Sequence, residues 1–369
     1  RQGVRRLPGG ARVPGPADVT TRPTRLAGRL DDLGAGAFLV TTPVNVEYLV
    51  GFRSSSAALL VTHESLILFT DGRYIESASR LEGVEAVLVE RGLAVELGER
   101  LAAHTAGPVA FEAGRVTVAD HHRISSCGLE LVPTEREVER FRVVKDSHEL
   151  ATIRRSAAVL GEGFEALASR KLTGRTEVEV ARCLDEILRD LGADGPAFET
   201  IVAAGANAAL PHHRPGELVI EPGELVLIDA GCIVDRYASD CTRTLATGPL
   251  SAELRHAYDA CLQVQEDCVA AVTAGTPGKV LDERHRSRLG DAGYRPLHGL
   301  GHGVGLEVHE GPRLSRLSDD VLPESSVVTV EPGVYLPGTG GVRIEDLVIV
   351  TNGTPEILTR TEKELRTVS

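Results

Sequence analysis

The stretch Ile228–Thr244 reads IDAGCIVDRYASDCTRT, and it governs how the rest of this 369-residue chain is read. Asp229 closes the apolar run that starts at Leu225, a run with the length and residue types of a buried strand. A carboxylate at the end of such a strand must be paired or bound to a cation, because a bare buried charge is very costly. Eleven residues later, Asp240 opens a second β-rich run. A strand, a turn and a return strand would set the two carboxylates side by side. A divalent cation is the ordinary way to keep two adjacent carboxylates ionised. The alternative is that one aspartate caps a turn while the other pairs with Arg243.

Downstream, His298–Gly311 reads HGLGHGVGLEVHEG, with three imidazoles inside twelve residues. Glycines at 299, 301, 303 and 305 argue against a helix and for a ribbon whose backbone approaches something closely. Histidine is the commonest nitrogen donor to transition metals. Thr329–Tyr335 (TVEPGVY) and Gly341–Val348 (GVRIEDLV) then place Glu331 and Glu345 within strand-like runs, the second of which is expected to extend over Arg343–Val350. Two Asp, two Glu and at least one His form an oxygen-rich set. It suits a pair of Mn(II), Co(II), Zn(II) or Fe(II) ions better than a structural zinc. Two such ions about 3.5–4 Å apart could activate a shared water.

The order Asp229, Asp240, His302, Glu331, Glu345 resembles the pita-bread metallopeptidase family of Xaa-Pro aminopeptidases, prolidases and methionine aminopeptidases, over roughly residues 140–366. The N-terminal half, with FTDGRY at Phe69–Tyr74, is similar to the creatinase-like domain of the proline-specific branch, which methionine aminopeptidases lack. The resemblance implies metal ligation by all five residues, with Asp240 and Glu345 bridging. It implies that His298 and His309 contact the substrate carbonyl and that Glu331 shuttles a proton. His212, in ALPHHRP (Ala209–Pro215), matches a pocket-lining histidine, whereas His213 reads as incidental. Tyr335 and Arg343 resemble residues that orient the site. Arg313 resembles the arginine that grips a free proline carboxylate, as a planar guanidinium can. Arg236 departs from the family pattern, standing where a glycine is usual, as does the Ser325-Ser326 approach to Glu331. The turn between Pro277 and Leu297 is shorter than the family pattern.

The composition is that of a globular enzyme or binding protein, with 42% hydrophobic and 25% charged residues. A formal charge of −13 argues against nucleic-acid binding as the main function. No segment approaches the roughly 20 apolar residues that span a bilayer. Six cysteines without CxxC spacing indicate neither a zinc cluster nor a disulfide framework, which fits a cytoplasmic location. Residues 1–22, rich in Arg, Pro and Gly, read as an unstructured tail. An α/β domain follows over 23–140, its runs Ala37–Thr41, Ala57–Thr62, Leu66–Asp71, Val84–Glu90, Pro108–Ala113 and Leu129–Thr134 alternating with helix-like stretches. The charged segment Glu135–Asp146 is the candidate linker to an α+β catalytic domain over 147–369.

In that second domain, Thr176 and Glu179 form a capping box ahead of an amphipathic helix. Another helix is expected from Ser251 to Ala274, ending at Gly275. Strand-like runs are expected at Thr200–Ala204, Leu225–Ala230, Thr242–Thr247 and Val327–Val330. Val219–Gly223 echoes Thr329–Gly333, which suggests an internal pseudo-repeat. The function implied is a dinuclear-metal exopeptidase, manganese first, cleaving between an N-terminal residue and a following proline. An Xaa-Pro dipeptidase is the alternative reading. Further alternatives are an inactive binding scaffold on the same fold and a metal-independent hydrolase like creatinase. The family resemblance also implies a homodimer.

Overall fold

The computed structural model describes residues 21–105 and 107–368, and these form two compact units that divide between Val143 and Val144. The expected tail lies outside the described residues as far as 20. Thr21 and Arg22 instead open a helix, α1 (Thr21–Ala27), in which Arg22 is buried and stacks over the Tyr48 ring.

The first unit is an α/β layer built on β1 (Ala37–Val40), β2 (Ala57–Thr62), β3 (Leu66–Thr70), β4 (Glu85–Leu88), β5 (Val109–Glu112) and β6 (Leu131–Thr134), in the order β4-β3-β2-β1-β5-β6. β1, β2 and β3 pair antiparallel, whereas β1–β5, β5–β6 and β3–β4 are parallel. β1 and β5 are buried throughout, as befits strands covered on both faces. The charged segment Glu135–Asp146 contains a short helix, Glu139–Val143, and Asp146 caps the helix that follows.

The second unit repeats one plan twice. Helices Ser147–Ala168 and Glu177–Asp190 precede a sheet of β8 (Ile201–Ala204), β9 (Leu225–Ala230) and β12 (Cys241–Ala246), all antiparallel. Helices Ala252–Ala270 and Gly278–Asp291 precede β13 (Gly301–Gly303), β15 (Val327–Val330) and β18 (Asp346–Ile349), again antiparallel. Between these lie β7 (Gly195–Pro196), β10 (Cys232–Val234), β11 (Tyr237–Ala238), β14 (Glu310–Leu314), β16 (Gly333–Leu336), β17 (Gly340–Arg343) and β19 (Glu356–Ile357). Each helix pair covers its own apolar core, one around Leu160, Leu184 and Ile228, the other around Tyr258, Leu289 and Val328.

The repeat is therefore present, but the five-residue echo does not mark it. Glu221–Gly223 is a turn ahead of β9, whereas Glu331 follows β15. Equivalent places are held by Asp229 and Glu331, at the ends of the two middle strands, and by Asp240 and Glu345, just ahead of the third strands.

Two local expectations change, and one departure from the family pattern finds its reason. The helix from Ser251 stops at Ala270, because the chain must leave it for Ala274 and Gly275 to donate to the carbonyls of Thr351 and Leu322. Arg343–Val350 is not one strand. It breaks between β17 and β18, where the Glu345 amide donates to the Thr242 carbonyl and so ties this crossing to β12. Arg236 adopts φ 77 next to Asp235 at φ 45, the two central residues of the tight turn joining β10 to β11. Left-handed backbone at both central positions is what a type I′ two-residue hairpin demands, which explains why glycine is usual there.

Candidate active site

The return strand that the sequence calls for is present: Thr242 faces Asp229 across the β9–β12 pairing. Asp240 enters this pairing from the β10–β11 hairpin and is buried. Arg243 does not pair with Asp240. Its guanidinium donates to Asp346 Oδ1 at 2.8 Å, which removes the simple ion-pair alternative for the aspartates.

His302 lies at the centre of β13, squeezed between β14 and β15. A Cβ at Gly301 would stand 2.1 Å from the Thr329 carbonyl oxygen, and one at Gly303 would stand 1.9 Å from that of Gly311. Only glycine lets this strand pass, which accounts for the alternating glycines. Glu331 follows β15 and holds its place by donating its amide to the Leu300 carbonyl at 2.9 Å.

Asp229, Asp240, His302, Glu331 and Glu345 converge on a cleft of about 610 Å³, whose lining also includes His212, His213, His298, His309, Arg313, Phe198 and Arg343. Donor atoms of Asp240, His302 and Glu345 lie within 4.8 Å of one another. His302 Nε2 is 3.3 Å from Glu331 Oε1 and 3.8 Å from Asp240 Oδ2. Its Nδ1 is 3.2 Å from the Gly303 carbonyl, which turns Nε2 toward the cleft.

Of the eleven residues singled out from sequence, ten line this cleft. Tyr335 stands behind it. Its hydroxyl accepts from Arg343 Nη1 at 2.9 Å and lies 2.8 Å from His298 Nε2. His298 Nδ1 is in turn 2.8 Å from the Gly299 carbonyl, so both nitrogens of that ring are engaged. His309 is freer and packs its ring 4.3 Å from that of His302.

The electrostatics suit a cation. Burial pushes Asp240 and Glu345 well above the usual carboxylate range, and repulsion among the site's carboxylates adds to it. Burial also raises Asp229, against the opposing pull of Arg343. Glu331 is the exception: burial opposes its charge, but the hydrogen bond and charge of His302 bring it down to about 2. Buried Oδ1 atoms of Asp229 and Asp240 have no hydrogen-bond partner among the described residues. Orphaned carboxylate oxygens, mutual repulsion and one directed imidazole fit a divalent metal.

Two threonines escaped the sequence reading. Thr242 Oγ1 donates to Glu345 Oε2 at 2.7 Å, and Thr329 Oγ1 donates to Glu331 Oε1 at 3.2 Å. Thr242 is two residues after Asp240 and Thr329 two before Glu331, so strand alternation puts each on its neighbour's face. That period-two spacing was the available signal.

A duplicated helix-pair-and-sheet unit closing on an oxygen-rich donor set defines a metal-dependent hydrolase. The chain belongs to metallopeptidase family M24: residues 151–352 match the model of that family. Residues 22–144 match the creatinase/prolidase N-terminal domain. The structure of an Xaa-Pro dipeptidase from Bacillus anthracis is similar at 34% identity and TM-score 0.91, covering 95% of this chain and all of that one. An X-Pro aminopeptidase from Thermotoga maritima is similar at 34% identity and TM-score 0.86, covering 94% of this chain and 99% of that one. The Xaa-Pro dipeptidase of Pyrococcus furiosus is 39% identical over 230 residues, which are 62% of this chain and 66% of that protein. No helix among the described residues is long and apolar enough to cross a membrane, and all six cysteines are unpaired thiols.

Proposed function

We propose that this protein hydrolyses the peptide bond between an N-terminal residue and a following proline, with Xaa-Pro dipeptides as preferred substrates. The observation that carries the reading is the meeting of Asp229, Asp240, His302, Glu331 and Glu345 on one cleft wall with Arg313 nearby. The Arg313 guanidinium is exposed and has no acidic partner among the described residues. It is thus available to a substrate carboxylate, which a dipeptide presents immediately after proline. Similarity to Xaa-Pro dipeptidases supports the same choice.

Asp229, Asp240, His302, Glu331 and Glu345 would hold two divalent ions, manganese foremost. Such ions, when bound, acidify a water and polarise the scissile carbonyl. Glu331 takes the proton from the attacking water and hands it to the proline nitrogen as the bond breaks. His309 donates to the developing oxyanion; burial and the neighbouring His302 lower its pKa and keep it neutral. His298 can contact substrate only by giving up Tyr335, so His309 is the better donor. Arg343 holds Asp229 and Tyr335 still through this cycle.

The second reading, an Xaa-Pro aminopeptidase, is favoured by the Thermotoga enzyme, which is as identical in sequence, at 34%, as the Bacillus dipeptidase. Rates on an Xaa-Pro dipeptide and on an Xaa-Pro pentapeptide, measured with the Mn(II)-loaded protein, separate the two. Faster release of the N-terminal residue from the dipeptide is expected. A pentapeptide preference selects the aminopeptidase, and inertness toward both rejects the proposal.

A further inference from the structure

The first residue of helix Glu177–Asp190 takes no part in the chemistry above, yet its carboxylate is completely buried. Glu177 Oε1 accepts from the Ala204 amide at 2.8 Å and from Asn207 Nδ2 at 3.0 Å. Its Oε2 accepts from the Gly216 amide at 3.1 Å and lies 2.8 Å from His213 Nε2. An ionised carboxylate offers about four acceptor positions, and all are filled here by one segment of chain. The amino-terminal end of the helix favours the charge as well. Because the carboxylate only accepts, His213 Nε2 must carry a proton.

The segment so gripped, 204–216, brings Pro211, His212 and His213 to the cleft wall. From 210 to 219 it has almost no regular structure. Two further polar tethers reach the site: the Pro211 carbonyl accepts from Arg343 Nη1 at 3.3 Å, and Arg214 Nε lies 3.3 Å from Glu199 Oε2 in an exposed pair. His212 therefore sits between two clamps, one reaching Asp229 through Arg343 and the other ending in Glu177. His213, which looks incidental in the sequence, is the side chain that closes the second clamp.

We propose that Glu177 and His213 form a latch that positions His212 against the substrate. They are positioning residues, acting through the loop on the residue that touches the peptide. Substrate binding depends on the loop being held; the metal-binding residues belong to other strands and do not.

His213→Leu removes the donor, whereas His213→Gln puts an amide nitrogen near the place of Nε2 and restores it. Hydrogen exchange of the 204–216 backbone, followed by mass spectrometry on the full chain without substrate, reads the latch directly. Exchange about tenfold faster in H213L and near wild type in H213Q is expected; equal exchange in H213L and wild type overturns the latch. The kinetic arm rests on the proposed Xaa-Pro activity. There, KM should rise about tenfold in H213L with kcat within about twofold, and H213Q should recover it. Equal KM in H213L and wild type, or equal impairment in both variants, rejects the positioning role. Should the wild-type protein cleave no Xaa-Pro peptide, the proposed function fails, and the exchange measurement still decides the latch.

Discussion

Arg343 Nη2 donates to Asp229 Oδ2 at 2.6 Å, a charge-assisted contact made by a residue with no direct part in the bond cleavage. The same guanidinium donates to the Tyr335 hydroxyl at 2.9 Å and, through Nε, to Thr242 Oγ1 at 3.1 Å. Three of its directions are thus fixed on residues that orient the site. A lysine retains the charge but cannot reproduce the fork. Arg343→Lys should lower kcat/KM by about 10–100-fold and weaken metal binding, as loss of a ligand's orienting partner usually does. Steady-state kinetics and metal titration check this; activity within about twofold of wild type would contradict it.

Arg313 supplies the dipeptide preference in this account. Arg313→Met should raise KM for an Xaa-Pro dipeptide by about 10–100-fold, the worth of one charge-assisted pair. A pentapeptide, whose carboxylate lies far from the scissile bond, should be cleaved at nearly the wild-type rate. Equal losses on both peptides would show that Arg313 does not read the carboxylate.

Asp282 ties the helix Gly278–Asp291 to the chain flanking β13 and β14. Its Oδ2 accepts from Arg286 Nε at 2.8 Å and from the Arg316 amide at 2.9 Å, while Arg286 Nη2 donates to the His298 carbonyl at 2.9 Å. Burial alone would raise its pKa, but the hydrogen bonds from His285, Arg286 and Arg316 outweigh it and hold the pKa below the ordinary value. An aspartate with a depressed folded-state pKa contributes stability that is full above its unfolded pKa of about 3.9 and is lost as pH falls through the folded value. Asp282→Asn should therefore cost about 1–3 kcal/mol at neutral pH. The gap to wild type should narrow below about pH 4. Denaturant unfolding across pH 3–7 tests it; a pH-independent gap would contradict the linkage.

The turn between β10 and β11 carries Arg236 in left-handed backbone, at φ 77. Such a conformation costs an L-residue about 1 kcal/mol that glycine avoids. Arg236→Gly should raise unfolding stability by up to about 1 kcal/mol, with kcat unchanged, since the turn lies outside the cleft lining. A lower midpoint on thermal unfolding would contradict the strain argument.

Burial logic reads well from sequence where charge interrupts an apolar run. Asp229 and Glu331 stand out because nothing else explains an acid at the end of Leu225–Ala230 or Val327–Val330. The glycines around His302 read correctly as a close approach, although the carbonyls they admit, those of Thr329 and Gly311, are visible only in three dimensions. Period-two patterning did not find the break between β17 and β18, because Ile344 and the apolar run Leu347–Val350 lie on either side of Glu345 and Asp346 with no turn residue between them. The crossing there is imposed by pairing of Glu345 with Thr242, about a hundred residues away in sequence. Glu177 was invisible for a different reason. A glutamate at the start of a helix is ordinary, and its burial depends on a loop that folds back over it. Val219–Gly223 and Thr329–Gly333 share wording but not position in the repeat, since tertiary equivalence follows strand order.

The most direct test of the central claim is proline release from an Xaa-Pro dipeptide as Mn(II) is titrated into chelator-treated protein. No turnover is expected without metal, and full turnover only as the second equivalent per chain is reached. Turnover that persists in chelator, or none at two equivalents, would contradict it.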